Sequence, residues 1–423
     1  MRRFFLLFLT TYLLSQAFDS VLRWVLDMGH AAALIYARDV GLVLAIAVGV
    51  FLLVSQDRKI SLTFWLLWIM ALCSVVSLCS GLVVPQILFG IKIWLPFVAG
   101  FLAVETGIAT DLHRPKAWMA LWLVLCLGVV VNYFYRFPWT GLLLQVGDAE
   151  VIANREWTAG GVPRLSGFCR SSFDAAAMIL VMFIYLMTYV RGFWIGILLV
   201  SLSGVAIALT TTKGVMGVFL GCLFLLPILA YQSKGAKPVE WIATGAIQFF
   251  AVLGMVVPIV SLRIPFPRLP QGSMEDWLLS SLLDRAWNTW PRAFTLVSDW
   301  QLITGRGIGG IGISQGNFEP AAFSPADNLF VYLYVTAGLV GVGLYLFCAF
   351  AGGRLSIEYR LHRMAFLLLF SLFGYGFTTN LIENTCLAMI FGGLLSLLQS
   401  REGMRHSHTR DVSMPVANWD AAP

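Results

Sequence analysis

Asp327 stands in Ser324-Pro325-Ala326-Asp327-Asn328-Leu329, at the point where a long polar stretch gives way to an apolar run. A carboxylate partly withdrawn from water can take a proton from a hydroxyl, and arginines nearby can hold an anionic leaving group. That pairing is the minimal equipment for glycosyl transfer from a diphosphate. The bland alternative is that Asp327 or Asn328 caps the helix that follows, which is the commonest use of such a pair.

The arginines are arranged to suit the first possibility. Two long polar stretches, 136–174 and 262–327, hold Arg136, Arg155, Arg164, Arg170, Arg263, Arg268, Arg285, Arg292 and Arg306, and no lysine. Lysine would serve topology or solubility equally well, so exclusive arginine points to forked, bidentate recognition of phosphate or carboxylate. Arginine also outnumbers lysine in the whole chain by twenty-two to six, so composition alone could produce the pattern. Arg164 and Arg170 immediately precede an apolar run and can grip a diphosphate at headgroup depth, or merely anchor the interface. Arg285 and Arg292 flank Trp287 and Trp290, and Arg306 opens the glycine-rich run Gly305-Arg306-Gly307-Ile308-Gly309-Gly310-Ile311-Gly312. That run lacks the Walker lysine, so a sugar or phosphate lining, or plain loop flexibility, is expected there and not a nucleotide cradle.

Three further features join the candidates. Lys213, in the short connection Thr210-Thr211-Thr212-Lys213-Gly214, is the only lysine expected on the same face as the long stretches. Glu383 lies close to apolar segments in Asn380-Leu381-Ile382-Glu383-Asn384-Thr385, where a carboxylate is either functional or simply solvated. Gly338, Gly341 and Gly343 read as helix-packing positions. No His, Cys, Asp and Glu grouping has metal-ligand spacing, so neither a metal nor another cofactor is expected.

These residues need a scaffold, and the composition dictates its class. With 59% hydrophobic and 12% charged residues in 423, the chain cannot cover a water-soluble globule of that size. An all-α polytopic membrane protein is expected, with the lipid bilayer as its solvent and about twelve spans near 4–18, 31–54, 61–80, 84–104, 117–135, 175–190, 193–210, 214–231, 239–261, 328–350, 365–379 and 380–399. Arg38 and Asp39 interrupt the second span, as a self-neutralising pair or an interfacial one, and Lys92 in the fourth can snorkel or face a cavity. Short segments carrying fifteen of the twenty-eight basic residues fall on one side, which puts both termini in the cytoplasm and the long stretches 136–174 and 262–327 outside. Residues 1–423 then form a single integral membrane domain with a retained first helix and a disordered tail at 400–423. The net charge of +6, without a basic soluble domain, is read as topology and ligand binding, and no nucleic acid is expected as a partner.

Four pieces in order resemble the Wzy polymerase and O-antigen ligase superfamily of bacterial envelope polysaccharide assembly. They are Arg164-Leu165-Ser166-Gly167-Phe168, Thr211-Thr212-Lys213-Gly214, Arg285 with Trp290 and Gly307-Ile308-Gly309, and Asp327-Asn328-Leu329-Phe330 with Gly338-Leu339-Val340-Gly341. They cover roughly 160 to 345, and the remainder matches in hydropathy alone. Lys213 stands where arginine is usual, and Asp327 where many members, above all ligases, place histidine. The resemblance therefore implies the exopolysaccharide polymerase branch, with the xanthan type as the candidate member, and a GT-C-like fold. It further implies a metal-independent glycosyltransferase of the bacterial inner membrane, active on the periplasmic face. Its substrate would be an undecaprenyl diphosphate-linked oligosaccharide and its partner a chain-length regulator or export complex. In that reading Asp327 is the base, Arg164, Lys213 and Arg285 hold the diphosphates, and Arg170, Arg292 and Arg306 are outer contacts. Asn328 and Glu383 remain possible site residues. A flippase for lipid-linked sugars and an O-antigen-type ligase are the rival readings.

Overall fold

The computed structural model describes residues 1–423 except 56–61, 147–148, 160, 190–191, 231–236, 265–273, 353–354, 356–359 and 400–423. The expected tail at 400–423, Arg268, and the basic residues Arg58, Lys59, Arg191, Lys234, Arg354, Arg401, Arg405 and Arg410 lie outside the described residues. The protein is mostly helical. Its long helices are α1 (Arg2–Ala17), α2 (Asp19–Met28), α3 (Ala37–Ser55), α4 (Leu62–Cys79), α5 (Val84–Glu105), α6 (Pro115–Phe134), α7 (Ser172–Tyr189), α8 (Phe193–Leu209), α9 (Lys213–Ala230) and α10 (Lys237–Ser261). There follow the short α11 (Met274–Asp284), α12 (Trp290–Phe294), α13 (Gln301–Thr304) and α14 (Ile313–Phe318), and then α15 (Leu329–Ala351), α16 (Arg360–Gly376) and α17 (Thr385–Gln399).

Apolar sequence leaves a backbone in lipid no partner but itself, so continuous helix is the outcome wherever the runs are long. Among the described residues, six segments are long and apolar enough to cross a membrane: Ala32–Ser55, Val84–Glu105, Pro115–Phe134, Ser172–Tyr189, Glu240–Ser261 and Leu329–Ala351. A seventh results if α1 and α2, which meet at 85°, count as one broken span, and five shorter apolar helices accompany them. Outer helices keep large apolar side chains on the surface, such as Phe134 at 80% and Trp241 at 78% exposure, which is what lipid-facing positions require. The closest seam in the bundle joins α5 to α17. A Cβ at Gly100 would overlap the Met389 carbonyl, and one at Gly392 the Phe97 carbonyl, so the two backbones meet through glycine.

Sequence and structure differ in three places that matter for the site. Residues 136–174 are not wholly non-β: β1 (Leu143–Val146) pairs antiparallel with β2 (Ala149–Ile152), and β3 (Thr158–Ala159) with β4 (Val162–Pro163). The bundle itself is all helix, as expected, and these two short hairpins are added to it; Gly161, at φ 81°, lies in the turn of the second. Residues 19–28 are the amphipathic helix α2 and not a connection, with Asp19 and Arg23 buried and joined at 3.0 Å. Arg38 completes that cluster by pairing with Asp19, while Lys92 pairs with Asp39 at 2.6 Å. Arg23, Arg38, Asp39 and Lys92 thus each have a partner of opposite sign, which removes most of the cost of burying them.

Candidate functional site

The second long stretch ends in a strained corner. Ala326 and Asp327 both adopt left-handed backbone, at φ 61° and 46°, a conformation non-glycine residues rarely take. Neighbouring groups hold them there: Asp327 N donates to Pro325 O at 2.7 Å, and the indole of the buried Trp290 lies 3.5 Å from Asp327 O. Asn328 then caps α15 by accepting from Val331 N at 3.0 Å, and its amide donates to the carbonyls of Gly254 and Phe377 at 3.0 Å each. Fully buried and fully bonded, Asn328 has the structural half of its expected roles, whereas Asp327, one residue earlier, is turned out of the helix.

Arg285 faces Asp327. It opens a π-helical turn, Arg285–Thr289, inserted between α11 and α12. Such turns rotate the side chains around them and recur at functional sites. Its Nε donates to Asp327 Oδ2 at 3.1 Å, and its Nη1 to Ser281 O at 3.1 Å. Burial pushes the Asp327 carboxyl above the ordinary carboxylate range, and Arg285 partly pulls it back.

The first long stretch delivers a second arginine to the same place. Arg164 N is bonded to Trp157 O at 2.8 Å, and Leu165 N reaches Leu209 O at 3.4 Å, which sets the strand end against the α8–α9 hairpin. The Arg164 guanidinium lies 5.3 Å from the Phe173 ring centre, and its Nε is buried without a hydrogen-bond partner. Burial, followed by repulsion from Arg285, lowers its affinity for its proton. Two arginines close enough to repel are stable only if something negative sits between them or the surroundings force them together. The hairpin itself, Thr210-Thr211-Thr212-Lys213-Gly214, packs onto the end of α16. A Cβ at Gly214 would stand 2.8 Å from Thr378 Oγ1 and 2.9 Å from Tyr375 Cδ2. Lys213 starts α9 at this junction.

A second ring of charge adjoins the first. Arg170, half-buried, stands in electrostatic range of Arg155, Arg23, Asp19 and Asp174, and desolvation with its arginine neighbours pushes it down to about 10. Asp174 accepts from Ser171 Oγ at 2.6 Å and from Asn384 Nδ2 at 2.9 Å. Glu383 accepts from Ile313 N at 2.6 Å and lies within electrostatic range of Asp327 and Arg155. Burial raises its carboxyl to about 7. The connection between α16 and α17 therefore fastens both long stretches, through Asn384 to the first and Glu383 to the second.

Two expected contacts lie elsewhere. Arg306 is held by Glu319 at 2.5 Å and by Gly310 O at 2.9 Å, and Glu319 in turn accepts from Gln86 at 2.6 Å. Arg292 is exposed and donates to Ala321 O at 2.5 Å. The glycine-rich run is neither a mobile loop nor an open lining. It is packed against α4, α5 and α15, where Ser77 donates to Ile308 O at 2.9 Å and Gln86 to Gly309 O at 2.9 Å.

The site thus unites Arg164, Arg285, Asp327 and the Lys213 hairpin, with Arg170 and Glu383 on its flank. Reading the sequence passed over Tyr375, whose hydroxyl is in electrostatic range of Arg285, Asp327 and Asp174, and gave Arg155 and Asp174 no role. An apolar run hides a tyrosine at a helix end, and Asp174 reads as an ordinary first-turn acid. No protein-family model, curated protein or solved structure matches the chain.

Proposed function

We propose that the chain is a Wzy-type polysaccharide polymerase of the bacterial inner membrane. It would cross the bilayer about twelve times, with both termini cytoplasmic and the site facing the periplasm. The observation that carries this reading is the convergence of Arg164, from one long stretch, with Arg285 and Asp327, from the other, at the Lys213 hairpin.

Arg164, Arg285 and Lys213 bind the diphosphate of an undecaprenyl-linked glycan. Asp327 takes the proton from a hydroxyl of the incoming lipid-linked repeat. The oxygen freed of its proton bonds to the anomeric carbon, the bond from that carbon to phosphate breaks, and the electron pair leaves with the diphosphate. The arginines stabilise that negative charge as it develops, which is where fixed cations act best. Burial helps Asp327 as a base by raising its proton affinity, and the charge of Arg285 opposes that rise and favours the ionised form. Arg170 contributes further positive charge at the rim, whereas Arg306 is committed to Glu319.

Deleting the gene and analysing the lipid-linked glycans tests the reading. Accumulation of single repeats on the outer face of the membrane is expected. Retention on the inner face would instead mark a flippase, and unchanged polymer would overturn both.

A further inference from the structure

Tyr375 ends α16 with its ring 3% exposed and its hydroxyl buried without a hydrogen bond of formed geometry, although Thr379 lies beside it. That hydroxyl is an O–H donor in range of two carboxylates, Asp327 and Asp174, and it bonds neither. Arg164 and Arg285 are also in electrostatic range of it and repel each other, with Arg164 Nε buried and unpartnered. Gly214 packs close to the ring, where a Cβ would stand 2.9 Å from Tyr375 Cδ2, which sets the side chain against the Lys213 hairpin. Buried donors are almost always satisfied, and here two of them, with a second guanidinium nearby, share one neighbourhood and bond no protein acceptor in it.

We infer that the Tyr375 hydroxyl is a direct hydrogen-bond donor to a bound diphosphate, completing with Arg164 and Arg285 a three-donor cradle for one phosphate group. The inference rests on the polymerase reading only for the identity of the natural ligand. Its physical basis is the set of unsatisfied donors, which any isoprenoid diphosphate would satisfy. Phosphate oxygens accept from phenols and guanidinium groups without proton transfer, so Tyr375 remains a phenol throughout and Asp327 alone carries the substrate proton.

The test uses the purified full-length protein in detergent, with farnesyl diphosphate and farnesyl monophosphate as probes, and Tyr375→Phe as the variant. Phenylalanine keeps the ring against Gly214 and removes one oxygen. Binding of the diphosphate is expected to weaken about 10-fold, as for loss of one hydrogen bond to a charged group, with an unchanged unfolding midpoint. Gly214→Ala, which keeps the hydroxyl but pushes the ring, is expected to weaken binding as well. Equal affinity of wild type and Tyr375→Phe, or no diphosphate binding by the wild type, would overturn the inference. Normal, Tyr375-dependent binding by a protein that fails to polymerise lipid-linked repeats would leave the cradle standing and overturn the polymerase reading instead.

Discussion

Replacing Glu383 by glutamine removes one ionisable group from the junction of both long stretches while keeping an acceptor for Ile313 N–H. Burial raises the Glu383 carboxyl from the usual 4.5 to about 7. A shift of that size, at about 1.4 kcal/mol per pH unit, makes the ionised side chain cost the fold up to about 3 kcal/mol. Glu383 keeps some exposed surface, so that figure is an upper bound. The sign follows from the direction of the shift. A carboxyl raised in the folded state favours folding most below pH 4.5, where it is protonated in both states. That contribution is lost as pH climbs to about 7 and stays lost above it. Thermal unfolding in detergent between pH 4.5 and 8 should therefore show the wild-type midpoint falling, relative to Glu383→Gln, by about 6 °C at most, if about 2 °C accompanies each kcal/mol. Above pH 7 the glutamine variant should be the more stable protein. If the difference between the two proteins stays flat across that range, or the wild type gains on the variant as pH rises, Glu383 is not the enclosed carboxylate described above.

Gly312→Ala places a methyl group on Glu383 Oε1 at a left-handed backbone position, and a loss of about 2 kcal/mol or more is expected in the same unfolding assay. Asn328→Ala removes the α15 cap and two buried amide bonds, so a loss of about 2 to 4 kcal/mol is expected, with no change in diphosphate affinity per folded molecule. Arg285→Met takes away the charge that opposes burial at Asp327. The carboxyl then rises further, and the acid limb of the polymerisation rate against pH is expected to move to higher pH, because a base works only when ionised. Arg306→Met breaks a largely buried pair with Glu319, so a lower unfolding midpoint is expected while diphosphate affinity of the folded protein stays within about 2-fold.

Helix positions were legible in the sequence because lipid imposes a single rule on the backbone, and hydropathy reports it directly. Asp327 drew notice because a charge at the edge of an apolar run is costly enough to need a reason, and Arg285 because its stretch holds arginine and no lysine. What periodicity could not reveal is where a charge finds its partner. Arg306 looks equivalent to Arg285 along the chain, yet Glu319 lies thirteen residues away to neutralise it. The glycine-rich run reads as flexible for the same reason. Only the folded molecule brings α4, α5 and α15 close enough to need glycine there. Tyr375 was invisible because its polarity is a single oxygen at the end of an apolar helix, meaningful only beside two arginines from distant segments.

The central claim is that Asp327 acts as a base inside an arginine cradle. Asparagine tolerates the left-handed backbone at position 327 and accepts from Arg285, so Asp327→Asn changes the chemistry with little change in shape. Purified protein would be mixed with undecaprenyl diphosphate-linked repeats, and chain growth followed by gel and mass spectrometry. The account expects polymer from the wild type and a rate lower by about 10²- to 10⁴-fold from Asp327→Asn, with diphosphate binding retained. Polymer formed at the wild-type rate by a normally folded Asp327→Asn would contradict it.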